Sequence, residues 1–290
     1  MSSHSETVPL PGGHSLIYFR SGTRGGIPIV LLHGLSQQSD FWNPTLKAMV
    51  TTTKDVFDVI TVDLRGHGAS QSFTADHDLS IEALATDVKA VMEHANIRRA
   101  LIVGHSMGAM VAVQSAVLFP ERVSGLLLID GGIRTPADNF PGSEPTREEL
   151  IEALTPPSGP FSESTLRQYY GQLDPSNIEQ IMEAVQRTYT PVANSEFIST
   201  LGIARHMQFI RSILEYESSQ SLESLSVPAW AVLCQDIEGK AIDNSRPWDY
   251  LANWPHIHIQ HWYGYVHDVP LQRPAMISSL INFVARVCID

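Results

Sequence analysis

Leu101-Ile102-Val103-Gly104-His105-Ser106-Met107-Gly108-Ala109-Met110-Val111 decides how this chain of 290 residues folds. Leu101 to Val103 is a short apolar run of the kind that forms a strand covered on both faces. An apolar segment from Met107 to Phe119, ended by Pro120, follows as a helix. Gly104-His105-Ser106-Met107-Gly108 therefore falls on the turn between strand and helix. A serine hydroxyl is a weak nucleophile, so a protein that uses one must hold it on a sharp turn within reach of a base. Gly104 and Gly108 supply the small positions that relieve crowding there. The motif letters alone occur by chance, and it is the strand before and the helix after that make them specific.

Outward from this turn the same punctuation repeats. Ile29 to Leu32, Val59 to Val62 and Leu126 to Ile129 are apolar at every position, as buried parallel strands are. Ile81, Leu84, Ala85, Val88, Val91, Met92 and Ala95 recur at helical spacing behind Ser80, a fitting N-cap. Strand, helix and strand in this order predict a parallel sheet with right-handed crossovers. After Pro228 the pattern resumes with Ala229 to Cys234 and Ile257 to Trp262. Met276, Ile277, Leu280, Ile281 and Val284 stripe a last helix. The expected fold class is α/β, a mostly parallel, twisted sheet with helices on both faces.

Between Gly131 and Leu225 the strand pattern is lost and prolines accumulate at 136, 141, 145, 156, 157 and 160. Residues 131–225 read as a helical cap inserted into a core of residues 1–130 and 226–290. Thr146 and Glu149 fit a capping box, and further helices are expected over Pro175 to Arg187 and Glu196 to Glu217. Tyr169, Tyr170, Tyr189, Phe197, Phe209 and Tyr216 give this insertion the aromatic content to line an apolar pocket.

Composition narrows the function. With 43% apolar and 17% charged residues the chain suits a globular fold, and its net charge of -12 opposes phosphate backbones and anionic lipid. Neither nucleic acid nor a membrane is an expected partner. Cys234 and Cys288 are too few for a disulfide framework or a zinc cluster. The histidines and acids lack the short-spaced pairs of a zinc-binding helix, and no phosphate loop or dinucleotide fingerprint occurs, so no metal and no cofactor is expected. Residues 1–13 lack a secretory signal and no run approaches the roughly 20 apolar residues of a membrane span, which makes a cytoplasmic location the default.

With Ser106 in this setting, the sequence resembles the α/β-hydrolase superfamily from about Leu16 to the C-terminus, most weakly across the insertion. His33-Gly34 after the third strand, Asp63-Leu64-Arg65-Gly66-His67-Gly68 after the fourth, and His267 with Pro274 after the last follow that family's order. The resemblance implies Ser106 as nucleophile, His267 as base, and the backbone N–H groups of Leu35 and Met107 as the oxyanion hole. The need for such donors is independent of the resemblance, since each one preorganised toward a developing oxyanion is worth about 3 kcal/mol. Met107 also opens a helix, where free N–H groups point outward.

Among 12 histidines, His267 is chosen because it lies beyond a strand end and ahead of the last helix, at the edge where open α/β sheets build their sites. His258 and His261 fall within a strand. His33 and His105 belong to motifs and shape the pocket. His206 reads as a surface or packing residue of the insertion, and Asp63, Arg65 and His67 as a structural turn. Val266 stands where the family often has glycine, with Gly264 nearby, so this loop is expected to turn differently. The acid is expected at Asp236, which follows Ala229 to Cys234 and keeps the order Ser, acid, His. Cys234-Gln235-Asp236 is one residue short of the family's Gly-x-x-Asp, so Glu238 and Asp243 compete, as does Asp130 at the strand end some relatives use.

The reaction implied is hydrolysis of an ester, lactone or related acyl bond in a small, largely apolar substrate. Carbon–carbon hydrolysis of a diketone-like compound is the alternative with the same residue types. A receptor that keeps the fold without turnover is the alternative of another class. Dehalogenation and epoxide opening are disfavoured, because relatives with those activities carry aspartate where this chain has Ser106.

Overall fold

The apolar runs form the middle of an eight-stranded sheet. It is seen in a computed structural model that describes residues 4–52, 56–74, 76–133, 145–155, 160–171, 178–186, 189–192, 196–235, 254 and 256–288. β1 (His4–Pro9) and β2 (Ser15–Gly22) are an antiparallel edge pair, and β2 runs antiparallel to β4 (Phe57–Asp63). From β4 the sheet continues in parallel through β3 (Ile27–Leu32), β5 (Ala100–His105), β6 (Val123–Ile129), β10 (Ala229–Gln235) and β11 (Ile257–Tyr263).

The unbroken apolar runs have a period-2 explanation. Val30, Leu32, Ile102, Leu126 and Leu128 face one core, while Ile29, Leu31, Leu101, Val103, Leu127 and Ile129 face a second one on the other side. The first core is closed by α2 (Ile81–His94) and α3 (Met107–Leu118), the second by α1 (Asn43–Thr52) and α10 (Pro274–Val287). A short α9 (Val269–Gln272) precedes α10. Ser80 caps α2 by accepting from the Ala83 N–H, as expected.

The insertion departs from an all-helical reading. It holds α4 (Arg147–Leu154), α5 (Glu163–Gly171), α6 (Ile178–Gln186), α7 (Ile203–Glu215) and α8 (Ser218–Glu223), and the expected Thr146–Glu149 capping box opens α4. It also holds a small antiparallel sheet of β7 (Phe161–Ser162), β9 (Glu196–Ser199) and β8 (Tyr189–Val192) in that order. Glu196 to Ser199 was expected to start a helix. The chain instead pairs as a strand, turns at Gly202 with φ 73°, and begins α7 only at Ile203. Pro191 fits because β8 is an edge strand, where a missing N–H costs no ladder bond.

Helix α7 docks the insertion on the core. Arg205 Nη1 donates to the Gly66 carbonyl at 2.8 Å and Gln208 Nε2 to the His77 carbonyl at 2.8 Å. Phe209 is fully buried with its ring 4.8 Å from that of His67, so it anchors the insertion rather than walling an open pocket. Tyr169 and Tyr170 lie in α5, and their side chains fall outside what the structure describes.

The turn after β4 on which α7 rests is tied internally, as its reading as a structural turn requires. Asp63 accepts from the N–H groups of Ser39 and Ala69, both at 2.8 Å. Arg65 makes a two-pronged ion pair with Asp87 at 2.6 and 2.7 Å, with both side chains largely buried. Burial pushes the Asp87 carboxyl up, against the pull of Arg65. Removing one partner of such a pair strands a charge. Asp87→Ala is expected to cost about 3 kcal/mol, read as a lower urea midpoint, and Arg65→Met in that background is expected to recover part of it. An unchanged midpoint for Asp87→Ala would show the pair to be idle.

Candidate active site

Ser106 separates β5 from α3 with φ 54° and ψ −121°, a conformation that costs an L-residue about 1–3 kcal/mol. Its surroundings allow nothing else. The Ser106 N–H donates to the Ile129 carbonyl at 3.0 Å, and its own carbonyl accepts from Ala109 at 3.0 Å. A Cβ on Gly104 would stand 2.2 Å from the Gly108 carbonyl oxygen, and one on Gly108 would stand 2.4 Å from that of Leu32. Gly131 is equally close to Ser106, a constraint that local sequence does not reveal. Met107 is the first residue of α3, so its N–H has no intrahelical acceptor.

Among the described residues, the carboxylate that meets the His267 ring is Asp130. It is the first residue after β6 and has φ 45°. Its N–H donates to the Val232 carbonyl at 2.8 Å, and its Oδ1 accepts from the Cys234 N–H at 2.8 Å. Its Oδ2 accepts from His267 Nδ1–H at 2.7 Å. With the proton held on Nδ1, the neutral imidazole presents Nε2 as an acceptor. Asp236, Glu238 and Asp243 lie outside the described residues. Among the carboxylates weighed on sequence, the structure thus brings the β6 alternative to the imidazole.

Surrounding protein draws His267 toward its neutral form, but the hydrogen bond and charge of Asp130, joined by the charge of Asp268, outweigh this and raise its pKa. The side chain remains 54% exposed, so it is set among protein atoms yet open on one side. Asp268 is buried, which pushes its carboxyl up against the opposing pull of His267 and Gln37. Gln37 Nε2 donates to Asp268 Oδ1 at 2.9 Å while its Oε1 accepts from the Gly34 N–H at 2.8 Å. His105 donates from Nε2 to the His267 carbonyl at 2.8 Å, and burial pushes its pKa down to about 3. Phe41 stacks on its ring at 4.7 Å. Gln37 and His105 thereby join three segments: the loop after β3, the end of β5 and the loop carrying His267.

The loop after β3 is supported from below. The buried His33 donates from Nδ1 to the Gly34 carbonyl at 2.8 Å and accepts from the Leu64 N–H at 3.1 Å. His67 donates from Nδ1 to the Arg65 carbonyl at 3.1 Å and accepts from the Ser36 N–H at 3.2 Å. Burial lowers the pKa of both rings. Leu35 lies between these two supports. His206, expected as a surface or packing residue, is buried and reaches Ser36. Sequence reading missed Ser36, Gln37, His206 and Asp268 as parts of this site. Only the adjacency of Asp268 to His267 and of Gln37 to the His33-Gly34 pair was there to find.

Among the described residues, no cluster of three or more His, Cys, Asp or Glu is arranged to hold a metal, and no helix is long and apolar enough to cross a membrane.

Comparison with known proteins gives this geometry its setting. The acetyltransferase component of the acetoin cleaving system of Pseudomonas putida is 37% identical over 118 residues, which cover 41% of this chain and 30% of that protein. The match therefore spans under a third of that relative's length. Of solved structures, E-2-(acetamidomethylene)succinate hydrolase superposes with a TM-score of 0.75 at 20% identity, covering 98% of this chain and 99% of that one. The thioesterase domain from the curacin biosynthetic pathway does so with a TM-score of 0.74 at 19% identity, covering 97% and 100%. Residues 27–201 match the family described as alpha/beta hydrolase fold, and with the sheet order above the chain belongs to the α/β-hydrolase family.

Proposed function

We propose that this chain hydrolyses carboxylic esters, lactones or related acyl compounds through an acyl-enzyme on Ser106. The observation that carries the reading is the 2.7 Å bond from His267 to Asp130, in a site tied by His105 to the strained turn of Ser106. His267 Nε2 takes the hydroxyl proton as Ser106 Oγ attacks the acyl carbon. The N–H groups of Leu35 and Met107 hold the oxygen that becomes negative. The imidazolium returns its proton to the departing alcohol, and water then releases the acid by the same steps. In this reading Asp130, after β6, is the acid in place of Asp236, keeping the Nδ1 tautomer and steadying the imidazolium. Residues 131–225 act as the cap that bounds a small, largely apolar acyl substrate.

A serine-directed phosphonate is expected to label Ser106, seen by mass spectrometry of the digested protein. Label on another serine of an active sample defeats the reading. Turnover of a short-chain activated ester against a diketone separates acyl from carbon–carbon hydrolysis.

The raised pKa of His267 fixes the direction of the pH profile. The base works as neutral imidazole, so acylation is expected to climb as pH rises through a value above the ordinary 6.5. In Asp130→Asn the groups that raise the pKa are weakened while enclosure remains, so this limb shifts to lower pH. The rate is expected to drop by about 10⁴-fold, because the wrong tautomer is then favoured. A folded Asp130→Asn enzyme of near-normal rate, beside an inactive Asp236→Asn, would return the acid to β10.

Leu35→Ala is expected to keep kcat within about tenfold of wild type, since only its backbone N–H acts. A thousandfold loss in a folded, equally stable variant would remove that role.

A further inference from the structure

Ser36, next to Leu35, holds φ 61°, in the left-handed region that costs a residue with a Cβ about 1–2 kcal/mol. Such a conformation persists where neighbours over-determine it. Two side chains do so here. His67 Nε2 accepts the Ser36 N–H at 3.2 Å, and Ser36 Oγ lies 2.7 Å from Nδ1 of His206.

His206 comes from α7, in the insertion, and is 6% exposed. Its Nε2 lies 3.0 Å from the Leu154 carbonyl at the end of α4. A carbonyl only accepts, so Nε2 carries the proton and Nδ1 accepts from the Ser36 hydroxyl. A neutral imidazole satisfies both bonds, and burial favours that form. The ring has little freedom, because Arg205, Gln208 and Phe209 of the same helix are fixed to Gly66, His77 and His67.

We propose that His206 is a positioning residue which, from the insertion, fixes the Ser36 side of the loop presenting the Leu35 N–H, so that seating of the insertion sets the oxyanion hole. This rests on the hydrolase reading above, and in particular on Leu35 as a donor.

Two amide substitutions separate the two bonds of the imidazole. In His206→Asn the carboxamide oxygen takes the place of Nδ1 and still meets Ser36. In His206→Gln the amide reaches the place of Nε2 and still meets Leu154. Measured on a short activated ester, His206→Leu and Ser36→Ala are each expected to lower kcat by about tenfold with little change in KM. Phosphonate labelling of Ser106 is expected to slow in the same proportion, because it builds the same oxyanion. The double variant is expected to be no slower than either single one, since both remove the same bond. His206→Asn is expected to retain most of the rate and His206→Gln to behave like His206→Leu.

The proposal fails if His206→Gln keeps the rate while His206→Asn loses it, which would make the bond to Leu154 the one that matters. It fails equally if the two losses multiply, or if Ser36→Ala, which removes only a hydroxyl and tests the bond should His206 variants not fold, has the wild-type kcat. Ser106→Ala separates the two readings. Turnover surviving Ser106→Ala sinks the acyl-enzyme reading on Ser106 itself. Turnover abolished there but unchanged in Ser36→Ala sinks only the role of His206.

Discussion

Ser106 occupies a backbone conformation that it would leave if any neighbour yielded. The atoms that deny it room are backbone atoms: the Gly108 carbonyl against Gly104, the Leu32 and His33 carbonyls against Gly108, and the Ser106 carbonyl against Gly131. Backbone cannot rotate away as a side chain can, so these contacts make the turn rigid. They also require β3, β5, β6 and α3 to meet at one spot, which the two apolar cores enforce by burying both faces of every central strand. The strain at one residue is held by packing across four elements.

Around this turn, burial lowers the pKa of the histidines that hydrogen-bond only to backbone, hydroxyl or carboxamide groups, and a carboxylate partner reverses that direction at His267. His33, His67 and His206 each set one nitrogen toward a carbonyl oxygen and the other toward an N–H or hydroxyl. That arrangement suits a neutral ring, and burial depresses all three. His105, too, donates to a carbonyl and is depressed. His267 differs in having a carboxylate on Nδ1 and a second carboxylate, Asp268, at the next residue, so its shift is upward. Several imidazoles thus serve as neutral struts, and the one that faces carboxylates is poised to accept a proton.

Much of this was legible because it is local. The strand, turn and helix at Leu101 to Phe119, the Ser80 cap and the Thr146–Glu149 capping box each depend on residues within a few positions of one another, and the structure has all of them. The small sheet of the insertion was missed because its strands are two to four residues long, too short for alternation to stand out. Gln37 with Asp268, and Ser36 with His206, join residues 231 and 170 positions apart. No spacing rule reaches that far. His206 looked like a packing residue for the same reason, since its partners lie on other elements.

The position of Asp130 beside His267 follows from the order of the strands in the sheet. In the sheet β6 is the neighbour of β5, and β10 is one strand further away. With strands about 4.8 Å apart, a carboxylate at the end of β6 stands one spacing from the strand that leads into Ser106, and one at the end of β10 stands two. The chain order Ser, acid, His is kept by either position, so order alone does not choose between them. Asp130 is itself held by β10: the Val232 carbonyl takes its N–H, and the Cys234 N–H binds the oxygen that His267 leaves free. The strand whose end carries Asp236 in sequence thus supplies the backbone that aims Asp130 at His267.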